Sequence, residues 1–169
     1  MLQRTGAEQV SIVYSDFIKK YKTPEIFLAN SKSNVFKRLG LTWRYRLYKQ
    51  LCRELILRGN IPHDKKELMQ LPGVGDYVAG AYRSLHLGIR DYIIDSNVMR
   101  LYGRYFGFET DNETRRKRWF IEISESLTPK IKFKDYNYAL LDYTRIICKP
   151  KPLCAECNLS KKCMFPNTQ

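Results

Sequence analysis

Four of the five cysteines lie close together near the end of the chain, spaced as Cys148-x5-Cys154-x2-Cys157-x5-Cys163. Thiolates at this spacing can converge on one metal centre, and soft sulfur ligands select tetrahedral zinc or an iron–sulfur cluster. A zinc ribbon usually repeats two short Cys-x2-Cys pairs, whereas this stretch has one such pair between two wider gaps. The spacing therefore favours a 4Fe-4S cluster over zinc. Two disulfides are the other alternative, which the absence of a signal peptide and a fifth thiol, Cys52, disfavour.

A glycine-rich stretch, Leu71–Gly75, lies between two predicted helices. Its two glycines would let the backbone N–H groups of Gly73, Val74 and Gly75 approach a ligand closely, at the start of the next helix, where the helix dipole favours an anion. A phosphate group would fit there. The alternative is a plain turn between helices that needs glycine at a positive φ angle.

Asp95 follows two β-branched apolar residues and precedes a predicted helix. An aspartate at this place is a typical N-cap. It could also hold a carboxylate at the mouth of a pocket, where it would stabilise a cationic transition state or orient a water molecule. One geometry would serve both purposes.

The composition points to a polyanionic partner. The 30 Lys and Arg residues outnumber the 17 Asp and Glu residues, giving a formal net charge of +13 and a pI near 9.6. Nucleic acid is the first candidate. No apolar run approaches the roughly 20 residues that span a bilayer, and the basic residues are not gathered on one amphipathic face, so a membrane partner is disfavoured. We expect an intracellular, soluble protein.

Apolar residues recur at helical spacing nearly throughout the chain, which predicts an all-α fold without strands of useful length. The first helix should end before Thr23, and Pro24 should open the next one. The longest predicted helix, at 42–58, should bury Leu47, Leu51, Leu55 and Ile56. The other predicted helices include those at 35–39, 65–70, 76–87, 96–106, 112–127 and 136–147.

The hairpin Leu71–Gly75, Asp95 twenty positions later and the four-cysteine loop together resemble the helix-hairpin-helix DNA glycosylases of the endonuclease III superfamily. The resemblance extends to Met1–Thr5, similar to the start of the family's second helix, and to Asp135–Asp142, similar to the helix before the first cluster cysteine. It implies two helical lobes with DNA between them. We expect a six-helix barrel lobe over residues 1–94, with the helix-hairpin-helix at about 64–87, and an iron–sulfur cluster lobe over 95–169.

The resemblance also implies a reaction. The hairpin would hold phosphate while a mispaired nucleotide is turned out of the duplex, and Asp95 would stabilise the cationic sugar as the N-glycosidic bond breaks. Tyr77 stands where bifunctional members have a lysine that forms a Schiff base. Because a phenol cannot form an imine, we expect a monofunctional glycosylase with little or no lyase activity. Tyr77 could instead line the base pocket, contact the sugar or pack on the barrel.

Three stretches of the sequence indicate which base is removed. Residues 2–5, 100–107 and 135–148 look most similar to thymine glycosylases acting on G·T mismatches. We therefore expect removal of thymine or uracil opposite guanine. The alternative is an adenine glycosylase acting on adenine opposite guanine or oxidised guanine, although the chain ends six residues after Cys163 and leaves no room for the extra domain of that class. A DNA-binding relative without catalysis is a further alternative. An electron carrier would have little need for the charge or the hairpin.

Several residues are candidate contacts to double-stranded DNA carrying a mismatched base. Gln3 and Trp43 could wedge into the duplex where the flipped nucleotide was, with Arg4 beside them, although Trp43 could also be a core residue. Lys149 and Lys151 lie inside the first cysteine gap and would meet phosphate, so the cluster would fold a basic loop. We expect a monomer.

Two departures from the family accompany the resemblance. The first cysteine gap is five residues, where the family usually has six. Met1 falls where relatives already have a preceding helix and, two residues before it, a glutamate implicated in protonating the base. Either the protein begins upstream or it uses Asp95 alone.

Overall fold

A computed structural model describes residues 7–32 and 34–165 of the chain. Gln3 and Arg4, two of the predicted DNA contacts, lie outside the described residues. All regular secondary structure in the described part is helical, which confirms the predicted all-α class. No described helix is both long and apolar enough to cross a membrane.

Nine α-helices are described: α1 Ala7–Lys20, α2 Pro24–Asn30, α3 Asn34–Arg38, α4 Thr42–Arg58, α5 Lys65–Met69, α6 Asp76–Ala81, α7 Ser96–Phe106, α8 Arg118–Leu127 and α9 Phe133–Ile146. A π-helical segment, Tyr82–His86, continues α6, and short 3-10 segments cover Thr114–Arg116, Cys154–Glu156 and Ser160–Lys162. The predicted bounds of α4 and α7 are confirmed. Each of these two helices ends at a glycine with a positive φ, Gly59 and Gly107, the usual C-terminal stop.

One predicted helix is shorter in the structure. The stretch 112–127 becomes a 3-10 turn followed by α8, which begins only at Arg118. The carboxylate of Asp111 accepts hydrogen bonds from the N–H groups of Glu113 and Thr114, at 2.9 and 2.6 Å. Such an aspartate favours a local turn over a continuous helix. Lys117 is then extended, so the α-helix can start only after it.

The chain divides into two compact units, Met1–Val74 and Gly75–Gln169. This division lies twenty residues before the predicted lobe boundary at 94/95. The lobe assignments therefore stay a prediction.

The first unit has an aromatic core. Phe27 of α2 and Phe36 of α3 are almost fully buried, with ring centroids 6.2 Å apart. Tyr45 and Tyr48 of α4 pack against them. The prediction that Ile56 is buried is wrong, because it is 39% exposed. The core residues of α4 lie in its first three turns, and Ile56 lies beyond them in the last turn.

The second unit is built around α7, which packs against α9. Five residues of α7 are buried, and these are Val98, Met99, Leu101, Tyr102 and Gly103. Before α7, a buried ion pair joins Arg83 to Asp91 at 2.8 Å, and the side-chain amide of Asn137 donates to the carbonyl of Asp91 at 2.9 Å. These contacts fix the extended segment that leads into Asp95.

Candidate active site and cysteine cavity

Asp95 is the N-cap of α7 and holds its carboxylate in one orientation. Its Oδ1 accepts the N–H groups of Asn97 and Val98, both at 2.8 Å. Its Oδ2 accepts the side-chain amide of Asn97, also at 2.8 Å. The side chain remains partly accessible. Three N–H donors thus position the negative charge at the start of the helix, so the capping role and a catalytic role are compatible.

Tyr77 lies in the first turn of α6 and is 37% exposed. Burial raises the pKa of its phenol above the ordinary value, and the negative charge of Asp95 raises it further. The two predicted catalytic side chains are therefore within electrostatic range of each other, inside the second unit. The phenol remains neutral and protonated at physiological pH.

The two glycines of the hairpin have different structural roles. Gly73 has a φ of +79°, and a Cβ at this position would lie 2.6 Å from Cδ2 of Leu47. Gly75 has an ordinary φ of −99°, and a Cβ there would meet nothing within 4 Å. The fold itself therefore requires glycine at 73. Nothing among the described residues requires it at 75.

The backbone N–H groups of the hairpin are used unequally. Val74 donates its N–H to the carbonyl of Leu71 at 3.1 Å, which closes the turn. Among the described residues, neither the N–H of Gly73 nor that of Gly75 has a backbone acceptor in the turn. Gly73 and Gly75 are thus the hairpin positions whose N–H groups are suited to meet an external ligand.

Trp43 is 58% exposed in the first turn of α4, which excludes the core alternative for this residue. The guanidinium carbon of Arg44 lies 4.8 Å from the centroid of its ring. An exposed indole beside a guanidinium is suited to stack on a base or to meet phosphate.

The four clustered cysteines line one cavity, together with apolar side chains that include Leu101, Ile147, Leu153 and Leu159. All four are free thiols, so the disulfide alternative is wrong. Within residues 7–32 and 34–165, no three His, Cys, Asp or Glu side chains are grouped so that they could hold a metal ion.

Two arginines on α7, one turn apart, hold the loop that carries Cys148. Arg100 donates from Nη2 to the carbonyl of Cys148 at 2.8 Å. Arg104 donates from Nη1 to the carbonyl of Lys149 at 2.8 Å and from Nη2 to that of Pro150 at 2.9 Å. These hydrogen bonds hold the backbone of the loop in place. The side chain of Lys151, on the same loop, is exposed and can meet solvent or a ligand.

Asn97 completes a connection that the sequence alone does not show. While its amide nitrogen binds Asp95, its Oδ1 accepts a hydrogen bond from Nη1 of Arg100 at 2.9 Å. Asp95, Asn97, Arg100 and Cys148 therefore form one hydrogen-bonded series. The spacing of the first three on one helix start could have indicated it, but the carbonyl of Cys148 is 48 residues away from Arg100.

No family model matches the chain. The chain is 36% identical over 172 residues to a thymine/uracil-DNA glycosylase of Methanothermobacter thermautotrophicus, an alignment that covers 98% of this chain and 78% of the relative. An adenine DNA glycosylase of Buchnera aphidicola is 31% identical, over 96% of this chain and 48% of that protein.

Solved structures agree with these relatives. A thermostable thymine-DNA glycosylase superposes with a TM-score of 0.90 at 35% identity, over 99% of this chain and 81% of that one. An endonuclease III in a non-covalent DNA complex superposes with a TM-score of 0.83 at 26% identity, over 98% and 79% of the two chains.

Proposed function

The chain belongs to the helix-hairpin-helix DNA glycosylases of the endonuclease III superfamily, and we propose on this basis that it removes thymine or uracil opposite guanine without cleaving the strand. As a DNA glycosylase it acts in base excision repair. The observation that carries the finer proposal is the pairing of a fixed carboxylate, Asp95, with a neutral phenol, Tyr77, at the position of the family's lysine. The name of the thymine/uracil relative supports the choice of base.

Asp95 would act on the sugar of the extruded nucleotide. As the N-glycosidic bond breaks, positive charge develops on the sugar, and a carboxylate held in place stabilises that charge without reorganising. The N–H donors from Asn97 and Val98 keep Oδ1 in position. The same carboxylate can direct a water molecule to C1′, so that hydrolysis leaves an abasic site.

Tyr77 sets the outcome after base release. A lyase needs an amine that attacks C1′ and forms a Schiff base. The phenol of Tyr77 has a raised pKa and is not a nucleophile of this kind. Its ring would line the pocket for the extruded base, and the strand would stay intact.

Double-stranded DNA carrying a mismatch is the proposed partner. The hairpin at Gly73, Val74 and Gly75 would meet the phosphate backbone, with the N–H groups of Gly73 and Gly75 as donors. Lys149 and Lys151 on the cysteine loop would add cationic contacts, and the net charge of +13 supports binding to a polyanion.

The exposed ring of Trp43 would stack on a base of the duplex. Gln3 and Arg4 would act beside it, and Gln3 is a second candidate to fill the space of the extruded nucleotide. The enzyme would work as a monomer.

A 4Fe-4S cluster held by Cys148, Cys154, Cys157 and Cys163 is the proposed cofactor. The donor set fits, because four free thiols and apolar side chains surround one cavity. The single Cys-x2-Cys pair between two wider gaps favours a cluster over a zinc ion. When bound, the cluster would cross-link the basic loop through four iron–thiolate bonds and take no part in breaking the glycosidic bond.

Base release from defined duplexes tests the proposal. Duplexes with G·T, G·U, A·G and adenine opposite oxidised guanine are incubated with the protein and then treated with alkali, which cleaves at abasic sites. We expect cleavage of the G·T and G·U substrates only after alkali. Release of adenine would favour the adenine glycosylase alternative, which the Buchnera relative supports. No abasic sites in any duplex would contradict glycosylase activity.

A further inference from the structure

Tyr143 of α9 contacts two of the four cavity cysteines. Its hydroxyl lies 3.0 Å from Sγ of Cys157. Its backbone carbonyl accepts the N–H of Cys148 at 2.9 Å. Among the described residues, the bond to Cys157 is the shortest hydrogen bond made by any of the four cavity sulfurs.

The direction of this hydrogen bond follows from the chemistry of the sulfur. A cysteine that binds iron does so as a thiolate and has no proton to donate. The phenol must then donate and the sulfur accept.

The position of the ring is fixed by packing. Tyr143 packs against the buried core of the second unit, which includes Val98, Leu101 and Leu140. Its backbone is part of α9. The hydroxyl is therefore held at the sulfur by the fold, and the interaction costs little conformational entropy when the cofactor binds.

We propose that Tyr143 stabilises the iron–sulfur cluster against oxidation by donating a hydrogen bond to the thiolate of Cys157. The inference rests on the proposed 4Fe-4S cofactor. Each added electron makes the cluster and its sulfur ligands more negative, and a donor at one sulfur stabilises the more negative state. The hydrogen bond thus raises the reduction potential, so that an external one-electron oxidant removes an electron less readily.

The test compares two tyrosine-to-phenylalanine variants on the same helix. Tyr143→Phe removes the hydroxyl but keeps the ring and the carbonyl bond to Cys148. Tyr138→Phe is the matched control, since Tyr138 is also on α9 and is 47% exposed. Iron and acid-labile sulfide content, the midpoint potential on an electrode, and the rate of bleaching of the visible absorption by ferricyanide are measured for the full-length proteins.

We expect Tyr143→Phe to show a lower midpoint potential and several-fold faster bleaching, while Tyr138→Phe behaves as the wild type. Loss of the cluster from Tyr143→Phe with wild-type helix content by circular dichroism would also support the inference. A potential and a bleaching rate equal to those of the wild type, with full iron content, would overturn the role of Tyr143 alone. Loss of helix content together with the cluster would overturn it too, because a merely structural role predicts that result.

The metal content of the wild-type protein tests the proposed cofactor separately from the role of Tyr143. Wild-type protein that contains zinc and neither iron nor sulfide would overturn the proposed cluster and, with it, this inference. The iron and sulfide assay of the wild type therefore separates the two failures before the variants are compared.

Discussion

The side-chain amide of Asn97 lies between Asp95 and Arg100, donating to the carboxylate at 2.8 Å and accepting from the guanidinium at 2.9 Å. Arg100 also binds the carbonyl of Cys148. The carboxylate proposed to act on the sugar is thus connected to the loop of the proposed cluster by three hydrogen bonds. The geometry of the loop and the orientation of the carboxylate should depend on each other.

Replacing Asn97 tests this connection. Asn97→Ala removes the donor to Oδ2 but leaves the backbone N–H groups at Oδ1 in place. A hydrogen bond to a charged group contributes about 1.5–3 kcal/mol, so we expect single-turnover release of thymine to slow roughly 10- to 100-fold. Arg104→Lys is the control, because Arg104 holds the same loop without contacting Asn97. Equal slowing in both variants would show that loop damage alone is responsible.

Asp95→Asn separates an enzyme from a DNA-binding relative without catalysis. Asparagine caps a helix about as well as aspartate does, so the melting temperature should change little. The negative charge is lost, and base release should fall by at least about 100-fold, the scale found when one stabilising group is removed from an active site. Affinity for a G·T duplex, measured by fluorescence anisotropy, should be retained. Undiminished release would exclude Asp95 as the catalytic carboxylate.

The two hairpin glycines offer a matched pair of alanine substitutions. Gly73→Ala forces a side chain into a positive φ and against Leu47, which should destabilise the fold by about 1–3 kcal/mol. Gly75→Ala places its methyl group in open space, so thermal unfolding should be unchanged. If phosphate approaches Gly75 closely, DNA affinity should nevertheless fall. Wild-type affinity of Gly75→Ala would contradict the proposed phosphate contact.

Tyr77→Lys should introduce the missing amine. We expect the variant to nick a G·T or abasic duplex without alkali and to form a covalent complex with DNA under borohydride, because lysine can form a Schiff base. Tyr77→Phe is the control and should give neither product. Strand cleavage by the wild type without alkali would contradict the monofunctional proposal.

Asp111 should make stability depend on acid. Hydrogen bonds from Thr114 and Lys117 lower the pKa of its carboxyl from 3.8 to about 2. Because the folded pKa lies below the unfolded one, the contribution of Asp111 is present above pH 3.8 and is lost as the pH falls through about 2. In urea unfolding across this range, Asp111→Asn should show a weaker loss of stability than the wild type. Parallel curves for the two proteins would contradict the assignment.

The sequence by itself determined the features that depend on neighbouring residues. The spacing of apolar residues and the caps predicted α4 and α7 with their observed bounds. Asp95 was recognised as a helix cap, and the four cysteines were recognised as one group, because each pattern lies within a few residues. The all-α class followed from the same local periodicity.

Only the tertiary structure decided which distant groups meet. Arg100 and Arg104 reach carbonyls more than forty residues away because α7 packs against α9, and no local pattern records that contact. The tertiary structure also brings the hydroxyl of Tyr143 to Cys157. Likewise, Gly73 and Gly75 look alike in the sequence, but only Gly73 has a positive φ and lies against the side chain of Leu47, so only Gly73 is a requirement of the fold. Periodicity specifies which face of a helix is apolar, whereas side-chain volumes and long-range hydrogen bonds select the partner that covers it.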